Sequence, residues 1–369
     1  MLEIKYDEFG GIINCDENHG LLADGKLINK RRGYNLLEKF LLRTSKKINY
    51  LFNADGLYKC RQEKLPHMLR LEPTNRCTAR CSYCPRTIVH DWGTGYMNFD
   101  LYQRLIAWAV SNGINKVGFA LWGEPLIHPK IIDMIDYAHQ NGLIIRLSTN
   151  AIALSDNLAR KLLDYPLEAI EISLDGTNER EYFLGKQVNQ FEKVTANVLN
   201  LIKLAKENKI QTVFNIHFVN VGNVSWSNTV KYIKFWKKQF KGLNFASSFV
   251  YDPHNWAGTL AAKDYLSWFD RLLMRFELKK PCPYLAGLVI NWNGDALICC
   301  NNPQKRGFIG NVSEQAIEEI YNGEKRMKYL IENEKGTFKD VDCLVCSVNT
   351  VWPLLYIKKR ITKLFSFLF

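Results

Sequence analysis

The sequence predicts an α/β fold: an open (β/α)6 partial barrel followed by a small, cysteine-bearing C-terminal domain. Two observations carry this reading. From His67 onward, short apolar strands alternate with helical stretches through six repeats, a pattern that gives parallel strands joined by crossover helices. Cysteines gather in two places, just after the first strand and again beyond the last repeat.

The six expected strands are His67–Leu71, Lys116–Ala120, Ile144–Ser148, Ala169–Leu174, Thr212–Val219 and Phe245–Tyr251. The helices between them are expected at Phe99–Val110, Pro129–Asn141, Asp156–Tyr165, Gln190–Glu207 and Ser225–Gln239. Pro129 opens the second helix and Gly142 closes it, the asymmetry expected of helix ends. Around this barrel the chain divides into a 1–64 extension, the 65–251 barrel, a 252–281 linker, a 282–346 auxiliary domain and a 347–369 tail. The extension carries scattered charge, a helical stretch at Tyr34–Leu42, and Cys15 and Cys60 without partners at ligand spacing.

With 369 residues the chain accommodates one large domain and a smaller one. Ten cysteines in a chain this long, with no signal-peptide pattern at its start, read as reduced thiols inside a cell rather than a disulfide framework. No apolar run approaches the ~18 residues of a spanning helix. A net charge of +12 favours an anionic partner such as a phosphorylated or nucleotide sugar, a nucleic acid or a membrane surface. No specific nucleic-acid motif accompanies it.

Barrel active sites gather at the carboxyl ends of the strands, and the chemistry-bearing motifs fall there. After the first strand comes Cys77-Thr-Ala-Arg-Cys81-Ser-Tyr83-Cys84. Three thiolates at this spacing hold a cubane iron–sulfur cluster by three of its four irons, where four cysteines are the usual complete set. S-adenosylmethionine (SAM), through its amino and carboxylate groups, is the candidate for the open iron. Tyr83 is placed to lie against an adenine. After the second strand comes Leu121-Trp122-Gly123-Glu124-Pro125. Gly123 allows close backbone approach, and Glu124 can accept a charge-assisted bond from an amino group. The alternative, zinc held by the three cysteines and His90, leaves the Trp-Gly-Glu-Pro run unexplained.

Together these residues resemble the radical SAM superfamily, from about Leu65 to Tyr251. The resemblance implies the open (β/α)6 barrel, a SAM-binding 4Fe–4S cluster, and a flavodoxin or ferredoxin as electron donor. It also implies SAM contacts from later strand ends. Ser148 and Asn150 suit ribose or carboxylate bonds, and a serine at the place of Ser173 contacts the methionine part in similar enzymes. Turn or cap roles are the alternative for each. Where relatives often carry an arginine for the SAM carboxylate, this chain has Lys186, a point charge without arginine's bidentate fork.

The C-terminal third carries Cys282, then Gly294 five positions before Cys299, then Cys343-Leu-Val-Cys346. Cys282, Cys299, Cys343 and Cys346 make a complete set for a second 4Fe–4S cluster, with Cys300 the spare. This region resembles a SPASM domain in its shortened, twitch-like form, since no cysteine follows Cys346. Zinc in a Cys₄ site is the alternative.

By resemblance, SAM cleavage yields a 5′-deoxyadenosyl radical that takes a substrate hydrogen, and the auxiliary cluster accepts an electron. The expected outcome is oxidation of an alcohol, on a carbohydrate or cyclitol. Asp252, His254 and His217 lie near the late strand ends as candidate general bases. Competing readings are modification of a ribosomally made peptide, carbon–carbon bond formation or rearrangement on a glycan or nucleoside, and a non-catalytic iron–sulfur scaffold. In the tail, Leu354, Ile357, Ile361, Leu364 and Leu368 share a helical face while Lys358, Lys359 and Lys363 lie off it. Such a helix either rests on an anionic membrane or packs on the barrel. The expected location is the cytoplasm, peripheral to the inner face of the membrane in the case where the tail rests on it.

Overall fold

A computed structural model describes residues 4–6, 12–14, 65–87, 89, 93–221, 224, 226–250, 278–279, 282, 285, 287–302, 307–335, 346 and 350–351. Asp252, His254, Cys343, His90, Cys15, Cys60, the Tyr34–Leu42 helix, most of the linker and the tail beyond 351 lie outside the described residues.

A short hairpin, β1 (Ile4–Tyr6) and β2 (Ile12–Asn14), precedes the barrel. The barrel strands are β3 (Leu69–Leu71), β4 (Lys116–Phe119), β5 (Ile144–Thr149), β6 (Ala169–Ser173), β7 (Val213–Val219) and β8 (Phe245–Val250). Each pairs in parallel with the next, in sequence order. The connecting helices are α1 (Phe99–Ser111), α2 (Ile131–Gln140), α3 (Asp156–Leu163), α4 (Glu179–Lys186), α5 (Phe191–Glu207) and α6 (Trp226–Gln239). All six expected strands and five expected helices are present, with ends displaced by one or two residues.

Local chemistry sets these boundaries. The Asn98 side chain accepts from the Asp100 and Leu101 amides at the start of α1, and Ser155 accepts from the Leu158 amide at the start of α3. Helix α4 is the element that periodicity missed. It spans two turns, contains Gly185, and starts at Asn178, whose side chain accepts from the Glu181 amide.

Because side chains alternate along a strand, each barrel strand has two distinct faces. Leu69, Leu71, Val117, Phe119, Ile145 and Leu147 belong to the core shared with the helices, where Tyr102, Leu105, Met134, Val198 and Trp236 are also buried. The alternate positions turn to the barrel lumen and include the polar Arg70, Arg146, Ser148, Glu171, Asn215 and His217.

Beyond the barrel, β10 (Leu288–Ile290), β11 (Asp295–Leu297) and β12 (Phe308–Asn311) form an antiparallel meander. Its first strand pairs in parallel with β3, Leu288 opposite Leu69 and Ile290 opposite Leu71. One nine-stranded sheet, β12-β11-β10-β3-β4-β5-β6-β7-β8, therefore crosses the boundary placed at 282. Helices α7 (Ile317–Tyr321) and α8 (Glu324–Lys335) follow. The small sheet of β9 (Leu278–Lys279) and β13 (Thr350–Val351) lies apart from these strands.

Candidate active site

The cysteine loop is tied down at its base and along its length. Pro73-Thr74-Asn75 after β3 hold the returning chain: the Met97 amide donates to the Pro73 carbonyl at 2.7 Å, the Thr74 hydroxyl to the Gly95 carbonyl at 2.6 Å, and Asn75 Nδ2 to the Gly93 carbonyl at 2.8 Å. Within the loop, the Arg80 amide donates to the Lys186 carbonyl at 3.0 Å and the Ser82 amide to the Gly185 carbonyl at 2.9 Å. The helix that periodicity missed thus anchors the middle of the motif.

Cys77, Cys81 and Cys84 are free thiols, half-buried by surface exposure. Burial, then the charge of Glu124, pushes Cys77 up to about 11; burial, then Cys81, pushes Cys84 up to about 12; Cys81 is raised as well, by burial first. An iron centre would reverse this balance, because thiolates bind metal only when deprotonated. Cys77 Sγ also accepts from the Ala79 amide and from Asn150 Nδ2, each at 3.4 Å. Three free thiols influencing one another's charge, with N–H donors aimed at sulfur, fit a cluster whose thiolates sit on separate irons. Among the described residues, no three His, Cys, Asp or Glu side chains could hold a single metal ion.

The Gly123–Glu124 loop packs directly on this base. A β-carbon on Gly123 would lie 1.7 Å from the Thr74 carbonyl oxygen, so only glycine fits. Just before it, Leu121 adopts φ 87°, a conformation costly for a residue with a side chain. Glu124 is buried, and its carboxylate accepts from the Thr149 hydroxyl at 2.6 Å, the Asn150 amide at 2.7 Å and the Leu126 amide at 3.1 Å. A carboxylate has about four acceptor positions, so one remains on Oε2 for an amino group. Burial nevertheless outweighs these donors and raises the Glu124 pKa. Glu124→Gln places an amide N–H where a donor now points. It is expected to destabilise the fold by about 2–3 kcal/mol, read by anaerobic urea denaturation; a loss under about 0.5 kcal/mol would show that Glu124 does not organise this loop.

A second buried network joins the strand ends to the cysteine loop. Lys186, 2% exposed, donates to Ser173 Oγ at 2.7 Å and to Tyr83 Oη at 3.4 Å, and pairs with Asp175 Oδ2 at 2.9 Å. The Tyr83 hydroxyl donates to the same Asp175 oxygen, and the Val219 amide donates to Asp175 Oδ1 at 2.9 Å. Burial opposes the charge on Lys186, but Asp175, Cys81 and Tyr83 outweigh it and hold the ammonium protonated. Ser173, Lys186 and Tyr83, singled out separately in the sequence, thus meet around Asp175, whose part the sequence did not disclose. Thr149, between Ser148 and Asn150, spends its hydroxyl on Glu124. Ser148 faces the other way, into the lumen, and donates to Glu171 Oε2 at 2.8 Å. His217 lies beside Ser173 in the β6–β7 register, on the same lumen face.

At the C-terminal cysteines, Cys299 is raised well above the ordinary thiol range by burial and then by Cys300, Cys282 and Cys346. Cys282, Cys299 and Cys346 are all buried. Cys300 turns to the barrel side, where it accepts from Arg70 Nη1 at 3.4 Å and packs, with Cys84, against the Trp122–Val289–Leu297 cluster. Cys282, Cys299 and Cys346 therefore fit a second cluster, and Cys300, which also acts on Cys299, bonds Arg70 instead. Glu72, at the end of β3, is buried where these parts meet. Desolvation raises it to about 7 against the pull of the Trp292, Trp122 and Gly123 amides, and neither oxygen reaches hydrogen-bonding geometry.

Comparison with known proteins agrees with this geometry. Residues 71–233 match the radical SAM superfamily and residues 282–347 match the SPASM iron–sulfur cluster-binding domain. The chain is a radical SAM protein with a SPASM domain. These domains imply 4Fe–4S clusters and bound SAM.

Curated relatives include a tungsten-containing aldehyde ferredoxin oxidoreductase cofactor-modifying protein of Pyrococcus furiosus, 30% identical over 108 residues, 29% of this chain and 30% of the relative. A PqqA peptide cyclase of Rhodopseudomonas palustris is 27% identical over 143 residues, 39% of this chain and 37% of the relative. A GTP 3′,8-cyclase of Clostridium perfringens is 28% identical over 190 residues, 47% of this chain and 58% of the relative. The matched stretch thus spans between about a third and somewhat over half of each relative's length. Among solved structures, BtrN in complex with AdoMet and 2-DOIA superposes with a TM-score of 0.52 at 16% identity, over 77% of this chain and 94% of that one. Native anSMEcpe with bound AdoMet gives 0.53 at 17%, over 72% and 84%. Such likeness establishes the fold. No helix among the described residues is long and apolar enough to cross a membrane.

Proposed function

We propose that this radical SAM enzyme is an oxidoreductase that converts an alcohol of a carbohydrate or cyclitol to a carbonyl. The observation that carries the reading is that the buried Cys282 and Cys346 act on the buried Cys299, which lies just past β11 in the sheet continuous with the barrel. When bound, the SAM cluster supplies one electron for reductive cleavage of SAM, and the auxiliary cluster supplies a sink for the electron that substrate oxidation releases.

The chain's own residues do the rest. Cys77, Cys81 and Cys84 hold the first cluster; Cys282, Cys299, Cys346 and Cys343 hold the second. Glu124 offers its remaining lone pair to the SAM amino group. Gly123, Asn150, Ser173, Lys186 and Tyr83 line the same strand-end surface, and Ser148 takes a lumen position one layer further in. The lumen presents Arg146, Glu171, Asn215 and His217, groups suited to a hydroxyl-rich substrate. Asn215 Oδ1 is buried there without a hydrogen-bond partner. His217, and with it Asp252 and His254, are the candidate bases for the proton that leaves the alcohol. The expected electron donor is a flavodoxin or ferredoxin.

BtrN, which shares the fold, was crystallised with AdoMet and 2-DOIA. The similarity to a PqqA peptide cyclase supports the second reading, peptide modification. The test is anaerobic reconstitution with iron counting and 5′-deoxyadenosine assay. About eight irons per chain are expected, falling to about four in a Cys77/Cys81/Cys84→Ala variant that no longer cleaves SAM. Cys299→Ala should also lose about four irons while Cys300→Ala keeps them. If Cys299→Ala retained all its iron, the auxiliary site and the oxidoreductase reading would fall. Carbonyl formation from sugar alcohols, against mass changes in peptides, separates the two substrates.

A further inference from the structure

Helix α6 carries a surface that the SAM chemistry does not use. Its inward stripe, Thr229, Tyr232 and Trp236, with Phe240 just beyond, is buried in the barrel wall. Its outward stripe is Lys231, Lys234, Lys237 and Lys238, with Lys241 just past the end, and all five are exposed. Phe235 stands among them, 41% exposed. The helix contains no Asp or Glu, and none of these lysines takes an ion-pair partner among the described residues.

A solvated helix face ordinarily mixes both signs of charge. Here Lys231 and Lys234, Lys234 and Lys237, and Lys234 and Lys238 stand at the spacings where like charges repel on a helix. The adjoining end of α5 adds Lys203, Lys206 and Lys209, against Glu207 alone, which lies 4.0 Å from Lys203. Lys206 fastens the two helix ends by donating to the Gln239 carbonyl at 2.7 Å. The patch is therefore held by the barrel and left uncompensated among the described residues.

We propose that the carboxyl end of α6 docks on an anionic membrane surface, with Phe235 entering the headgroup layer and the lysines facing acidic lipid. The composition selects this partner over other anions. Lysine is depleted at protein–protein interfaces, where arginine and several aromatics gather. Single-stranded nucleic acid calls for a series of stacking rings, and among the described side chains of this helix Phe235 alone is an exposed ring. Basic residues with an isolated aromatic anchor match a lipid headgroup layer. The geometry permits it: a crossover helix ends at the amino-terminal end of the strands, so docking leaves the cysteine-loop end of the barrel free.

The experiment is co-sedimentation of the full-length, cluster-reconstituted protein with vesicles of phosphatidylcholine alone and of phosphatidylcholine with phosphatidylglycerol. Binding is expected to the acidic vesicles only, and to be lost between about 0.1 M and 1 M salt, as the Debye length shrinks from about 10 to 3 Å. Each lysine near such a surface contributes roughly fivefold in partitioning. Lys234→Glu/Lys237→Glu/Lys238→Glu should therefore bind more than about 100-fold more weakly while cleaving SAM at the wild-type rate. Phe235→Ser should weaken binding with the charge intact. Failure of the wild type to bind acidic vesicles overturns the proposal. So does equal binding by the triple variant, which would move the contact to another segment such as the tail. A lysine-dependent preference for RNA or for an acidic protein over the vesicles overturns it too.

Discussion

Gly123→Ala is expected to be the most damaging single-methyl change in the chain. The added β-carbon would meet Thr74 O at 1.7 Å, Thr74 C at 2.6 Å and Arg76 O at 2.9 Å, all backbone atoms. None can swing aside as a side chain would. The Thr74 segment is fixed through Gly95, and the Glu124 amide donates to Arg76 O at 2.8 Å, so the two loops cannot part without losing bonds on both sides. Overpacking a built core costs about 1–3 kcal/mol when side chains can adjust; against fixed backbone the cost should exceed the top of that range. The variant should retain little of the first cluster's iron and show no measurable SAM binding. Gly118→Ala is the control, because a β-carbon there meets nothing nearer than Met68 Sδ at 3.6 Å. Wild-type iron and SAM affinity in Gly123→Ala would refute the close-approach argument.

Lys186→Met should rank next. It leaves Asp175, 1% exposed, with the Tyr83 hydroxyl and the Val219 amide but no cation. Removing one partner of a buried pair typically costs about 3–5 kcal/mol, and Tyr83 loses one of its hydroxyl contacts. Lys186→Met/Asp175→Asn removes both charges and should recover most of the stability, since replacing a whole buried pair is often close to neutral. Denaturation under anaerobic conditions reads this difference. The double variant also isolates a second question, because its SAM affinity can be measured in a folded protein. Unchanged affinity would confine Lys186 to holding the loop and remove it from the SAM site.

The parts of this architecture that sequence discloses are those set by local pattern. Strands such as Thr212–Val219 show as short apolar runs, a helix such as Ile131–Gln140 through Pro129 and Gly142 at its two ends, and the cysteine sets through spacing. What stays hidden depends on partners distant in the chain. Asp175 reads as a turn residue until Lys186, Tyr83 and Val219 are brought to it. Ser148 and Thr149 are neighbours in sequence, yet strand alternation sends one into the lumen and the other to Glu124. Of the tandem Cys299 and Cys300, spacing from Gly294 favours Cys299, and the partners that Cys300 meets, such as Arg70, come from a strand far away in the chain. Helix α4 is too short, and too interrupted by Gly185, to display a period.

The pairing of β10 with β3 bears on how the protein is made. The two strands are more than two hundred residues apart in the chain. During synthesis β3 and the rest of the barrel emerge first, and the outer edge of β3 has no neighbour until the meander follows. At ordinary translation rates of about 5–20 residues per second, that interval is on the order of 10–40 s. An unpaired strand edge exposed for so long invites pairing with other chains. Slow release from the ribosome, or a chaperone that shields the first strand, should therefore raise the yield of correctly assembled protein more than any change at the finished surface.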